Sequence, residues 1–99
     1  MQGHYPHAFE REMGCTEAEL RTWLPGACAN RVIAWREQGA EIALDVGTAS
    51  IEWQTLEPRR IALIVLPRLH VRFAAQAVDE DAWQRFMRYF DLYTQRGGG

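Results

Sequence analysis

A chain of 99 residues, 47% hydrophobic and 24% charged, has material for one small core and not for a second, and lies far from disordered or collagen-like compositions. Its net charge of −2 lacks the basic excess of domains that grip nucleic acid by general electrostatics. All eleven basic residues are Arg, which removes Schiff-base chemistry, a P-loop lysine and a lysine general base.

Met1 to His7 has no period and carries Gly3 and Pro6, so a flexible arm is expected there. Phe9 and Met13, four apart, suggest a helical turn from His7 to Met13. At Thr16 the sequence Thr-Glu-Ala-Glu sets a hydroxyl at an N-cap and a carboxylate three residues on, which predicts a helix of about nine residues. Leu20, Trp23 and Leu24 form its docking side, Glu17 and Arg21 face outward, and Pro25-Gly26 is expected to end it.

From Arg31 to Ala75 the period is two. Arg31 to Arg36 is a first strand, Gln38-Gly39 a turn, and Glu41 to Val46 a second strand with Ile42, Leu44 and Val46 on one face. Gly47-Thr48 turns the chain into a third strand with Ile51 and Trp53 inward. Glu57-Pro58-Arg59 reads as a connection. Arg60 to Leu66 is apolar on both faces, the pattern of a central, buried strand. Pro67 breaks it from a last strand in which Leu69, Val71 and Phe73 alternate with Arg68, His70 and Arg72.

The last segment is a helix from Asp79 to Arg96, with acids at its positive end. Tyr93, Phe86, Phe90 and Trp83 lead an apolar arc of roughly 160° that suits a helix lying across a sheet. Asp81–Arg85 and Arg88–Asp91 stand at pairing distance. Leu92 is the one apolar residue on the outer side. Gly97, Gly98 and Gly99 are expected as a flexible tail. The fold class expected is α+β: a single domain over residues 1–99, in which an antiparallel four- to five-stranded meander carries a short N-terminal and a long C-terminal helix on one face.

His70 between Arg68 and Arg72 is the best lone candidate for chemistry, with Glu52 or Asp45 as cross-strand partners. Two readings compete: a solvated ion-paired face, or a site for a small anion or RNA made by Arg68, His70, Arg72 and Glu52. Arg59 and Arg60 add to this basic stretch. Trp53 and Phe73, which could stack on bases, have the parity of the inward face. His4, His7, Cys15 and Cys28 have no spacing typical of a metal knuckle, so no metal and no cofactor are expected. Cys15, one before an N-cap, could carry a lowered pKa. With two cysteines, no apolar leader before them and no apolar run of membrane-spanning length, a cytoplasmic protein with reduced thiols and no membrane contact is expected.

The closing Gly97-Gly98-Gly99 resembles the terminus of ubiquitin-like sulfur carriers, and that resemblance implies a C-terminal thiocarboxylate. Leu66 to Phe73 and Arg85 to Gly99 resemble a family of short bacterial proteins of unassigned function, which implies no active site. With no catalytic motif in sight, the leading expectation is a non-enzymatic protein-interaction or regulatory module. Its expected partner is another protein or a second copy as a homodimer, with Leu92 and Arg88 on the contact surface.

Overall fold

The structure, a computed structural model, describes residues 4–96. Strand β1 (Ala8–Met13), helix α1 (Glu17–Ala27), strands β2 (Ile33–Arg36), β3 (Gly39–Ala43), β4 (Thr48–Ile61) and β5 (Ile64–Gln76), and helix α2 (Glu80–Arg96) follow in chain order. The strands form one antiparallel sheet in the order β1-β5-β4-β3-β2. Strands β2 to β5 are a meander, and β1 returns to cover the outer edge of β5. The fold is α+β, as the sequence predicts.

Segment 8–13 is a strand and not a helical turn. Phe9, Arg11 and Met13 are half-buried while Ala8, Glu10 and Glu12 are exposed, a period of two that an arginine on the inward side conceals. Phe9 stacks on Phe73, with centroids 4.9 Å apart. The guanidinium of Arg11 lies 5.0 Å from the centre of the same Phe73 ring and pairs with Asp91 of α2 at 2.5 and 3.2 Å. A forked, charge-assisted contact of this kind lets a charged side chain serve on a covered face. The hydroxyl of Tyr5 donates to the same carboxylate. Tyr5 and Gln84 exchange two further hydrogen bonds, and the Trp83 indole donates to the carbonyl of Pro6 at 2.7 Å. Residues 5 to 7 therefore lie docked against α2, where a loose arm was expected.

Helix α1 starts as the sequence dictates. Thr16 accepts from the Glu19 N–H at 3.1 Å, and the Glu19 carboxylate accepts from the Thr16 N–H at 2.9 Å. It runs to Ala27 through Pro25 and Gly26, one turn beyond the expected end, because the proline costs only one donor late in the helix and the Cys28 N–H still reaches Leu24 O at 2.9 Å. Gly26 is needed where the helices meet, since a Cβ there would run into the Tyr93 ring of α2. Arg21 ties α1 to the β2–β3 hairpin: it lies 5.6 Å from the Trp35 ring and 5.1 Å from the Trp53 ring, and donates to the carbonyls of Arg36 and Glu37.

The core lies between one sheet face and the two helices. Leu20 and Leu24 of α1, Ile42, Ile51, Leu69, Val71 and Phe73 of the sheet, and Trp83, Met87 and Phe90 of α2 are all fully buried. The inward residues expected for β4 and β5 are buried, as are Leu20 and Leu24 of α1 and Trp83, Phe86 and Phe90 of α2, while Trp23 is half-buried and Tyr93, expected in the inward arc, is 37% exposed. Of the inward set expected for the second strand, Ile42 is buried and Leu44 is half-buried against the core. Val46 is 71% exposed, because the strand ends at Ala43 and the chain turns through Gly47. That glycine has φ +84°, and a Cβ would strike the carbonyls of Gln76 and Ala77.

The largest departure concerns Arg60 to Leu66. Glu57-Pro58-Arg59 is no connection but part of an irregularity within β4, between Leu56 and Arg59. Strands β4 and β5 run on as one long hairpin that turns at Ala62 and Leu63, with Ala62 at φ 54°. On one side the last β1 pair is Met13 with Leu69; on the other the last β3 pair is Gly39 with Glu52. Beyond those pairs the hairpin has no neighbour among the described strands. The stretch expected to be central and buried is a projecting arm.

Candidate functional site

The uncovered sheet face is a ladder of alternating charge that crosses all five strands. Arg36 of β2 meets Glu41 at 2.8 Å and Glu52 at 3.7 Å. Glu52 meets Arg72 at 3.8 Å, Arg72 meets Glu10 at 3.9 Å, and the Glu10 carboxylate accepts from His70 Nε2 at 2.7 Å. Arg68 makes a two-pronged contact with Glu12 at 2.8 and 3.0 Å, and Arg59 approaches the same carboxylate at 4.0 Å. The cause is register: Glu10 stands opposite Arg72, Glu12 opposite His70, and Glu52 opposite Arg72 from the other side.

The expected group of Arg68, His70, Arg72 and Glu52 is thus brought to one face, with two differences. His70 takes its carboxylate from Glu10, and Arg68 is drawn aside to Glu12; both acids sit on β1, which the sequence concealed. Asp45 lies elsewhere, in a pair with Arg31 at 3.0 Å. The Arg68 guanidinium, by hydrogen bonding, holds the Glu12 carboxyl below the usual range, and Glu12 in turn raises Arg68.

A shallow depression of about 370 Å³ lies between Arg36, Gly39, Glu52, Gln54, His70 and Arg72. Each of its arginines already faces a carboxylate. An incoming anion would have to displace Glu10 or Glu52, and Trp53 and Phe73, the rings expected to stack on bases, are buried in the core. This is the geometry of a solvated, self-compensated face.

The other sequence candidates are dispersed. Burial pushes the Cys15 thiol up to about 11, with help from the Glu19 charge, and burial pushes Cys28 up to about 12. Cys15 is therefore a protonated core residue and no activated nucleophile. Burial also outweighs the field of the helix end. His7 bonds the carbonyl of Val78 at 2.9 Å and His4 faces Glu80 at 3.4 Å. Among the described residues no three His, Cys, Asp or Glu side chains converge as metal ligands would, and no helix is long and apolar enough to cross a membrane. The glycines 97 to 99 lie outside the described residues.

Leu92 is exposed on the outer side of α2, as expected, and Tyr89 and Tyr93, at the edge of the apolar arc, are partly exposed next to it. Arg88 is exposed beside it. Asp91, its expected partner, is taken by Arg11 and Tyr5.

The arm carries a larger apolar surface than α2. Leu63 at the tip is 99% exposed, and Ile61, Ile64, Val65 and Leu66 are each between 42% and 57% exposed. Ile61, Ile64 and Leu66 share one face of the ribbon and Val65 lies on the other, so the end of the arm exposes aliphatic side chains of the kind that marks an interaction site. Sequence reasoning took the same residues for core because an apolar run looks alike whether flanking strands cover it or stop short. The only local sign was Pro58 and Pro67 at the base, residues found on strand edges and bulges. No family model and no curated protein matches the chain.

Proposed function

We propose that the chain is a non-enzymatic protein-interaction module whose contact element is the β4–β5 arm. The observation that carries this reading is the exposure of Ile61, Leu63, Ile64, Val65 and Leu66 on a ribbon with no neighbouring strand among the described residues. A two-stranded ribbon is marginal by itself in water, and free strand edges with aliphatic side chains are a template for association that folded proteins normally blunt. Retaining such an element costs solubility, and that cost is offset when a partner covers it. Leu92 and Arg88 on α2 belong to a secondary surface in this reading. The setting is the cytoplasm, with both buried cysteines reduced.

The test is a photo-cross-linking amino acid placed at position 63 in the cells that make the protein, with position 37, an exposed glutamate site on the β2–β3 turn, as control. A discrete adduct from position 63 and none from position 37 is the expected result. No adduct from position 63 contradicts the proposal.

A further inference from the structure

We propose that the cavity between the end of α1, the β3–β4 turn and the first turns of α2 binds a free α-amino acid with an apolar side chain. This goes beyond the reading of the arm and does not depend on it. The cavity holds about 320 Å³, at the lower end of the size of small-molecule sites. Small residues keep it open: Ala27 and Cys28 at the α1 terminus and Ala82 of α2 line it, and Leu44 and Phe86 complete the apolar wall. Ala29 adds a methyl from a left-handed backbone, φ 56°, at a place where a helix usually ends in glycine. Glycine would relieve that backbone and remove the methyl from the wall.

The charges around the cavity are of both signs. Arg31 and Asp45 meet at 3.0 Å, but the Asp45 side chain is 93% exposed, so theirs is a solvated pair at the rim. Asp79 accepts from the Ala82 N–H at 2.8 Å through Oδ1, which leaves Oδ2 to accept from another donor. Arg85 lines the cavity with no ion pair among the described residues. One acceptor oxygen and one cation are thus left over on the same stretch of α2, six positions apart.

A ligand with a single charge meets a like charge here, whichever its sign. A zwitterion gains from both. Its carboxylate takes the fork of Arg85, its ammonium donates to Asp79, and its side chain lies against Leu44 and Phe86. Val46 and Tyr89, 71% and 48% exposed at the edges of the cavity, gain cover from a branched or aromatic side chain placed between them. The ligand is small and its charged end stays near water, so the affinity is low, in the millimolar range.

Amide chemical shifts of the full chain, followed as L-phenylalanine, L-leucine, 3-phenylpropionate or 2-phenylethylamine is added, test this. Both amino acids should shift residues 27–31, 44–46 and 79–89. 3-Phenylpropionate, which lacks the ammonium, and 2-phenylethylamine, which lacks the carboxylate, should each bind about tenfold more weakly than L-phenylalanine. Arg85→Gln should lose about the same factor for the amino acids. Asp79→Asn, which keeps a capping side chain, should lose it for L-phenylalanine and not for 3-phenylpropionate. Arg88→Gln, exposed on the outer side of α2, should bind like the parent, and circular dichroism checks that each variant keeps its fold. Silence from both amino acids overturns the proposal, as does either singly charged analogue binding as tightly as L-phenylalanine. Shifts confined to the charged sheet face, or an Arg85→Gln variant that binds like the parent, overturn it as well. A failed cross-link at position 63 counts against the arm alone.

Discussion

At the residue scale, Cys15 shows how burial can reverse a local electrostatic tendency. It stands one position before the Thr16 cap, where a helix N-terminus favours a thiolate, yet its thiol rises to about 11 because the side chain is 1% exposed and Glu19 adds a negative neighbour. Cys28 rises further, to about 12, and burial with the Asp91 hydrogen bond takes the Tyr5 hydroxyl to about 12. These acids are harder to ionise folded than unfolded, so their stabilising effect is complete below the unfolded thiol value of about 9 and is lost as pH rises from there towards 12. Urea midpoints should fall steadily above about pH 9, and Cys15→Ala with Cys28→Ala should flatten that decline. A midpoint independent of pH in this window, or thiols that a disulfide reagent labels in the native protein at neutral pH as fast as free cysteine, would contradict the burial described. The Thr16–Glu19 cap, Ile51, Trp53 and the inward set of β5 were all legible in the sequence, because each rests on contacts within a few residues. Glu10 and Glu12, the acids that complete the charged face, were not, because their role depends on a strand pairing some 60 positions away.

At the element scale, two errors of reading have one origin. Segment 8–13 mimics a helical turn because Phe9 and Met13 are four apart and Arg11 stands on the inward side. What decides for a strand is the free edge of β5 and the Asp91 carboxylate waiting for Arg11. Segment 60–66 mimics a buried strand because it is apolar on both sides. What decides against burial is that β1 and β3 stop at Met13 and Gly39, which no local pattern announces. The arm makes no part of the buried core, so replacing residues 59–66 by an Asn-Gly turn should leave the stability of the body within about 1 kcal/mol of the parent, measured by urea denaturation. A loss of several kcal/mol would mean that the arm packs against the body after all.

At the scale of the whole molecule, class and layer order were readable: four strands of period two between two helices of period 3.6 leave few arrangements other than helices on one face of an antiparallel sheet. The edge position of β1 and the reach of the β4–β5 hairpin were not, since both are set by where neighbouring strands end. The result is a body with a compensated polar face and a buried opposite face, from which one apolar ribbon projects. Hydrogen exchange at low micromolar concentration, resolved along β4 and β5, tests that picture most directly. The amides of 59–66 should exchange close to the rate of an unstructured chain while those of 49–53 and 69–73 stay strongly protected. Equal protection of arm and body in the dilute protein would show a buried central strand and contradict the account.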